Sequence, residues 1–230
     1  AIDSVYNQTF KDWEIIFWDN KSTDKSAEIA KSYGEKIRYF CSEKTYAIGK
    51  ARNLSIKKTR GEFIAFLDCD DIWLSKKLEK QVSLLEKKED VDLVFSDAIY
   101  FSEKGNLCQI YQKFKPDRGY IFSHLLRKYF LCFTSILVRK SAIGDKDWFN
   151  ERLKYHEDAD FCLRQAYKFK FDYCDEPLVK YCVSFDSRTV KDFGLLARER
   201  EITLESLKDE FPSIGKSYSE EIKIYQVKTN

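Results

Sequence analysis

The stretch Gly61-Glu62-Phe63-Ile64-Ala65-Phe66-Leu67-Asp68-Cys69-Asp70-Asp71 decides how this chain is read. Phe63 to Leu67 is an unbroken apolar run, opened by a glycine and closed by three carboxylates. That pattern predicts a strand buried on both faces that surfaces at its C-terminal end. In open α/β sheets, ligands sit outside the carboxyl ends of the strands, and an Asp-x-Asp pair there offers hard oxygen ligands to a divalent cation. The same residues also suit a polar turn capping the next helix, because aspartate favours turns and caps.

Working outward, a second apolar strand, Glu14 to Trp18, also ends in polar residues: Asp19, Asn20, Lys21, Ser22, Thr23, Asp24. Ser22 or Thr23 suits the cap of a helix running to about Tyr33, and Lys36 to Phe40 reads as a short strand. Gly49-Lys50-Ala51-Arg52-Asn53 opens a helix lasting to about Lys58. Downstream, Ser75 is placed to cap a helix carrying Leu78, Val82 and Leu85, and Asp92 to Ser96 is a further strand. Ala1, Ile2 and Val5 share a helical face. Alternating strands and helices predict an α/β fold with a mainly parallel central sheet flanked by helices.

The second half is less regular. A hairpin is expected around Gly105-Asn106, a helix over Gly119 to Tyr129, a strand over Ser135 to Val138 and a loop over Trp148 to His156. Glu157 and Asp158 then begin a helix, where first-turn carboxylates also complement the helix dipole. Leu178 to Val183 reads as the last strand and Val190 to about Phe211 as a charged amphipathic helix.

Composition narrows the classes. Forty basic residues against 38 acidic ones leave a net charge of +2, with no basic stripe to track a phosphate backbone, so nucleic acid is not an expected partner. The apolar run around Leu131 to Val138 is far shorter than the roughly 20 residues that span a bilayer, which leaves peripheral membrane contact open. Seven scattered cysteines lack C-x-x-C spacing and read as thiols, most of them buried, in a reducing cytosol. The chain has no methionine and opens at Ala1, which suggests a fragment lacking its natural start.

The order of these motifs resembles glycosyltransferase family 2. The residues carrying the likeness are Ile2 to Thr9, Glu14 to Asp24, Gly49 to Asn53, Gly61 to Asp71, Thr134 to Lys140 and His156 to Arg164. The resemblance implies a GT-A fold over residues 1–189, with a donor-binding half over about 1–99 and an acceptor half over about 100–189. Residues 190–230 then form a helical extension. It also implies that the fold's first strand is missing from this chain.

The family's activity would be inverting transfer of a sugar from a nucleotide-diphosphate donor, most simply a UDP-sugar, to an acceptor hydroxyl of a glycan or lipid-linked glycan. Such enzymes serve cell-surface polysaccharide or O-antigen assembly in the cytoplasm or at the inner face of the membrane. By the same resemblance, Asp19 contacts the base and Arg52 lies near the base and diphosphate, where a planar guanidinium suits phosphate oxygens. Asp68 faces the ribose, and Asp70 ligates Mg2+ or Mn2+. Asp158 is the general base, with Glu157 and Asp71 on the acceptor side. Asp160 and Arg164 are expected to be structural partners on the helix, and Cys69 to turn back into the core.

Three departures stand out. Asn20 replaces an aspartate common in relatives, the chain opens inside the first helix, and Tyr181-Cys182-Val183-Ser184 lacks the histidine that often follows a Tyr-Arg pair. Weak metal affinity in the absence of donor follows. A catalytically impaired nucleotide-sugar-binding relative is the non-enzymatic alternative. A haloacid-dehalogenase-like phosphatase, which also ends a strand in Asp-x-Asp, fits less well because Ile72 stands where that family has Thr or Val.

Overall fold

The structure is a computed structural model, which describes residues 1–183 and 193–227. Along the chain lie α1 (Ile2–Tyr6), β1 (Ile15–Asp19), α2 (Ser26–Ser32), β2 (Ile37–Cys41), α3 (Ile48–Ile56), β3 (Phe63–Ala65), β4 (Ile72–Trp73) and α4 (Lys77–Lys87). They are followed by β5 (Leu93–Ser102), β6 (Gly105–Gln109), α5 (Phe122–Arg127), β7 (Leu137–Arg139), α6 (Lys140–Ile143), α7 (Glu157–Lys168) and β8 (Phe171–Cys182). The last elements are α8 (Phe193–Glu210), α9 (Ile214–Ser217) and α10 (Ser219–Val227).

A β-strand sends successive side chains to opposite faces, and β5 uses this to separate two halves of the core. Leu93 and Phe95 join a large cluster with Phe122, Phe133, Phe161 and Phe171, while Val94 and Ala98 join Val5, Leu78, Val82 and Leu85 on the other face. Helices therefore cover both sides of the sheet, as the strand and helix alternation requires. Leu204, Leu207, Ile214, Ile222 and Tyr225 of the C-terminal helices complete the larger cluster.

The strand pairing is mixed where the alternation pointed to a mainly parallel sheet. β1 and β2 pair in parallel, as do β5 and β8. The pairs β3–β7, β7–β5, β4–β8 and β5–β6 are antiparallel. The difference arises because a strict βα reading assumes a crossover at every connection. Here a tight turn returns β6 onto β5, and β7 threads between β3 and β5. Among the described residues, the β1–β2 pair shares no strand pairing with the larger sheet. The Glu14 carboxylate links the two parts by accepting the Arg60 amide at 2.6 Å.

Other local expectations are corrected. Phe63 to Leu67 is not buried on both faces: among the described residues β3 has one neighbouring strand, and only Ile64 of the run is buried. Helix α2 begins at Ser26, later than Ser22 or Thr23 would place it, and the Asp24 carboxylate takes the Ser26 amide at 2.9 Å. The hairpin turns at Glu103-Lys104, with Ser102 opposite Gly105, whose φ of 110° suits glycine. Ser75 does not cap α4; Gln8 does, from far away in sequence. Its Oε1 accepts the Leu78 amide at 3.0 Å, and its Nε2 donates to the Ser4 and Leu74 carbonyls at 3.0 and 2.8 Å.

The seven thiols are all free, and only Cys132 and Cys162 are buried. Cys69 stands exposed on its turn instead of entering the core, and Cys41 and Cys108 are also exposed. No helix among the described residues is long and apolar enough to cross a membrane.

Candidate active site

Helix α3 carries the central residue of the site, and two of its neighbours explain how closely it docks. Gly49 packs so tightly that a Cβ there would lie 3.2 Å from the Asn150 carbonyl oxygen and 3.6 Å from Cβ of Glu157. Asn53, fully enclosed, reads the backbone of Phe149 in both directions. It donates to the carbonyl at 2.9 Å and accepts the amide at 2.9 Å. The loop ahead of α7 is thereby fixed against α3.

Arg52, one residue before Asn53, lies over Phe133, with its guanidinium carbon 4.5 Å from the ring centre. It donates to Glu157 Oε1 at 2.7 Å and to Asp68 Oδ1 at 3.0 Å. One guanidinium thus ties the end of the Phe63 segment to the first turn of α7, two pieces of chain 89 residues apart. Its planar fork suits two carboxylates at once.

Glu157 is buried, and its Oε2 has no hydrogen-bond partner among the described residues. Burial and the adjacent Asp158 charge push its carboxyl up to about 8, against the pull of Arg52. Burial also raises Asp158, although Arg52 and the Ala159 amide, donating to Oδ1 at 2.6 Å, pull the other way. Two adjacent carboxylates in such surroundings titrate as a pair and hold a proton above the usual carboxylate range.

The Asp68-to-Asp71 segment is a turn closed by the Asp71 amide donating to the Asp68 carbonyl at 3.1 Å. Asp71 is only 1 % exposed. Its Oδ1 accepts the Cys182 amide at 2.8 Å, pinning the turn to the end of β8, while Oδ2 has no hydrogen-bond partner among the described residues. Burial, reinforced by the charges of Asp68 and Asp70, pushes its carboxyl up to about 7. Asp70 is exposed.

Asp70 presents an exposed hard-oxygen carboxylate on this turn, while the Asp71 Oδ2 next to it in sequence is buried. No group of three or more His, Cys, Asp or Glu side chains suited to a metal occurs among the described residues. The Asp70 carboxylate fits a divalent ion that takes its remaining oxygens from a ligand and water. Ser184, where a further ligand was in question, lies outside the described residues.

Asp19 ends β1 and is buried, with both carboxylate oxygens engaged: Oδ1 accepts the Ser22 amide at 2.7 Å and Oδ2 the Tyr39 hydroxyl at 2.5 Å. Burial works to raise its carboxyl, but these donors prevail and hold it low. It makes no hydrogen bond to the Arg52 group. Asn20 holds Tyr46 by its backbone, donating to the carbonyl at 2.9 Å and accepting the amide at 3.0 Å. A second aspartate could not make the donating half of that clamp.

The structure therefore gathers Arg52, Asp68, Glu157 and Asp158 into one place, with Asp70 and Asp71 on the adjoining turn and Asp19 on the neighbouring strand pair. Asp160 pairs with Arg164, which also donates to the Trp148 carbonyl at 2.6 Å. Tyr111, Phe133, Trp148 and Phe149 are core residues. Asn53 was missed as a positioning residue, although its place beside Arg52 could have flagged it.

The family model described as glycosyl transferase family 2 matches residues 1–152, and the chain belongs to that family. It is 38% identical over 189 residues to an uncharacterised glycosyltransferase of Methanocaldococcus jannaschii, covering 79% of this chain and 64% of that one. It is 31% identical over 192 residues to the amylovoran biosynthesis glycosyltransferase AmsB of Erwinia amylovora, covering 79% of this chain and 64% of that one. The chain thus spans somewhat less than two thirds of these relatives. Among solved structures, S. aureus TarS in complex with UDP superposes with a TM-score of 0.67 at 24% identity, covering 95% of this chain and 68% of that one. The mannosyltransferase PcManGT of Pyrobaculum calidifontis, in complex with GDP-Man and Mn2+, superposes at 0.65 with 12% identity, covering 89% of this chain and 59% of that one. These likenesses give the fold as GT-A.

Proposed function

We propose that this chain transfers a sugar, with inversion, from a nucleoside diphosphate donor to an acceptor hydroxyl on a glycan or lipid-linked glycan during cell-surface polysaccharide assembly. The observation that carries the reading is the convergence of Arg52, Asp68 and the Glu157–Asp158 pair in a member of this family. A UDP-sugar is the first donor to test, and the cytoplasm or inner membrane face is the proposed place of action.

In this reading Asp158 accepts the proton of the attacking hydroxyl. Its raised carboxyl pKa makes it a stronger base than a solvated aspartate. Glu157 stays fixed by Arg52 and borders the acceptor together with Asp71. Asp19 and the loop clamped by Asn20 border the base, and Asp68 borders the ribose. Asp70 would hold Mg2+ or Mn2+, which supplies positive charge to the departing diphosphate. Arg52 adds its own charge at that end of the site.

A panel of UDP- and GDP-sugars, read by nucleoside diphosphate release, tests the proposal. Turnover should fall at least 100-fold in Asp158→Asn and in Asp70→Ala, with donor binding retained in Asp158→Asn. Donor binding without turnover in the unaltered chain would instead mark a binding relative. Full turnover in Asp158→Asn would remove that residue as the base.

A further inference from the structure

Three consecutive backbone amides immediately before α7 converge on one side chain from a different part of the chain. Glu199 Oε1 accepts the Lys154 amide at 2.8 Å, and Oε2 accepts those of Tyr155 and His156 at 2.9 and 3.1 Å. Glu199 lies in α8 and is 1 % exposed. Successive amides of this kind form a cradle for an anion, and the helix dipole favours negative charge at that end. The chain fills the cradle with its own carboxylate.

A second contact secures the same segment. His156 Nε2 lies 2.5 Å from the Tyr225 hydroxyl of α10, and both residues are buried. Burial, helped by the Arg200 charge, pushes the imidazole down to about 3, so the ring is neutral at ordinary pH. The helix that begins at Glu157 has no side-chain cap of its own. Its entry is therefore set by two residues of the C-terminal helices, both beyond the part matched by the family model.

We propose that Glu199, backed by Tyr225, is a positioning residue that holds Glu157 and Asp158 in register with Arg52. The inference rests on the proposed role of Asp158 for its catalytic consequence, while its structural half stands independently. Among the described residues, no other side chain makes as many hydrogen bonds to 154–156, and the next two residues are the paired carboxylates. Misplacement by about 1 Å at such a point is enough to lower turnover roughly 100-fold.

The test compares the unaltered chain with Glu199→Gln, Glu199→Ala and Tyr225→Phe. Amide hydrogen exchange over residues 153–160 should accelerate at least 10-fold in Glu199→Ala, less in Glu199→Gln, and least in Tyr225→Phe, with exchange in β5 and β8 unchanged. In the donor panel, kcat should fall in the same order, by roughly 10- to 100-fold for Glu199→Ala, while KM for the donor and binding of UDP with Mn2+ stay within threefold. Unchanged exchange at 153–160 would overturn the proposal, as would accelerated exchange with unchanged kcat. Should the unaltered chain transfer no sugar, the function reading fails, and the exchange rates alone decide whether Glu199 holds this segment.

Discussion

Arg52 and Glu157 form a 2.7 Å ion pair whose side chains are 12% and 5% exposed, joining α3 to the first residue of α7. Breaking a buried pair from one side strands a charge away from water, which costs more than the pair itself contributes. Because the Glu157 carboxyl is pushed up to about 8, Arg52→Met should destabilise the chain by about 3 kcal/mol above pH 8, where the carboxylate is charged, and by less at pH 7. The double variant with Glu157→Gln should lose less than the sum of the two single changes. Urea melts of all four proteins measure the coupling, and strict additivity would contradict it.

Asp70 supplies a single exposed carboxylate, so a divalent ion should bind weakly without a nucleotide. Titration of Mn2+ by calorimetry should give an affinity at least 10-fold tighter with UDP present than without it. Asp70→Ala should erase that difference. Equal, tight binding in both conditions would contradict the reading of an incomplete protein donor set.

Lys77 is fully buried, donates to Gln81 Oε1 at 2.7 Å and lies 4.2 Å from the Trp73 ring centre. Burial pushes its amine down to about 7. Between that value and the ordinary lysine value, the unfolded chain binds more protons than the folded one. Stability should consequently rise with pH from about 7 to about 10. Lys77→Met should flatten this part of the profile in urea melts run at fixed ionic strength; an unchanged slope would argue against a depressed Lys77.

Gln8 joins α1, the chain before α4 and the α4 N-terminus through three hydrogen bonds. Gln8→Ala removes a cap and leaves the buried Ser4 and part-buried Leu74 carbonyls with one partner fewer, a loss of roughly 2–4 kcal/mol. Thermal melting should show it. Glu79→Ala, which removes only the exposed contact from the Thr9 hydroxyl, should change stability by less than about 1 kcal/mol.

The parts of this molecule that follow local periodicity were legible in the residues. The strands at Ile15 and Ile37, the helices at Ile48, Lys77 and Glu157, and the strand ending near Cys182 all lie where apolar spacing puts them. The motif order led to the family, and Arg52, Asp68, Glu157 and Asp158 do lie together. What escaped was set by contacts between distant segments. Nothing near Leu78 announces that Gln8 caps its helix, and nothing near Tyr155 points to Glu199. The antiparallel insertion of β7 escaped for the same reason, because strand order depends on which edges meet and leaves no mark on a three-residue strand.

The Glu199 contacts reach back 43 to 45 residues, and this sets an order of events during synthesis. At roughly 5–20 residues per second, the segment before Glu157 leaves the ribosome some 2–9 s ahead of the carboxylate that binds it. A nascent chain that has completed β8 already contains Arg52, Asp68 and Asp158, but their arrangement still awaits its last brace. In the proposed reading, competence for sugar transfer would then wait for Glu199 and for Leu204 and Leu207 just after it, which help complete the core around Phe95 and Phe161.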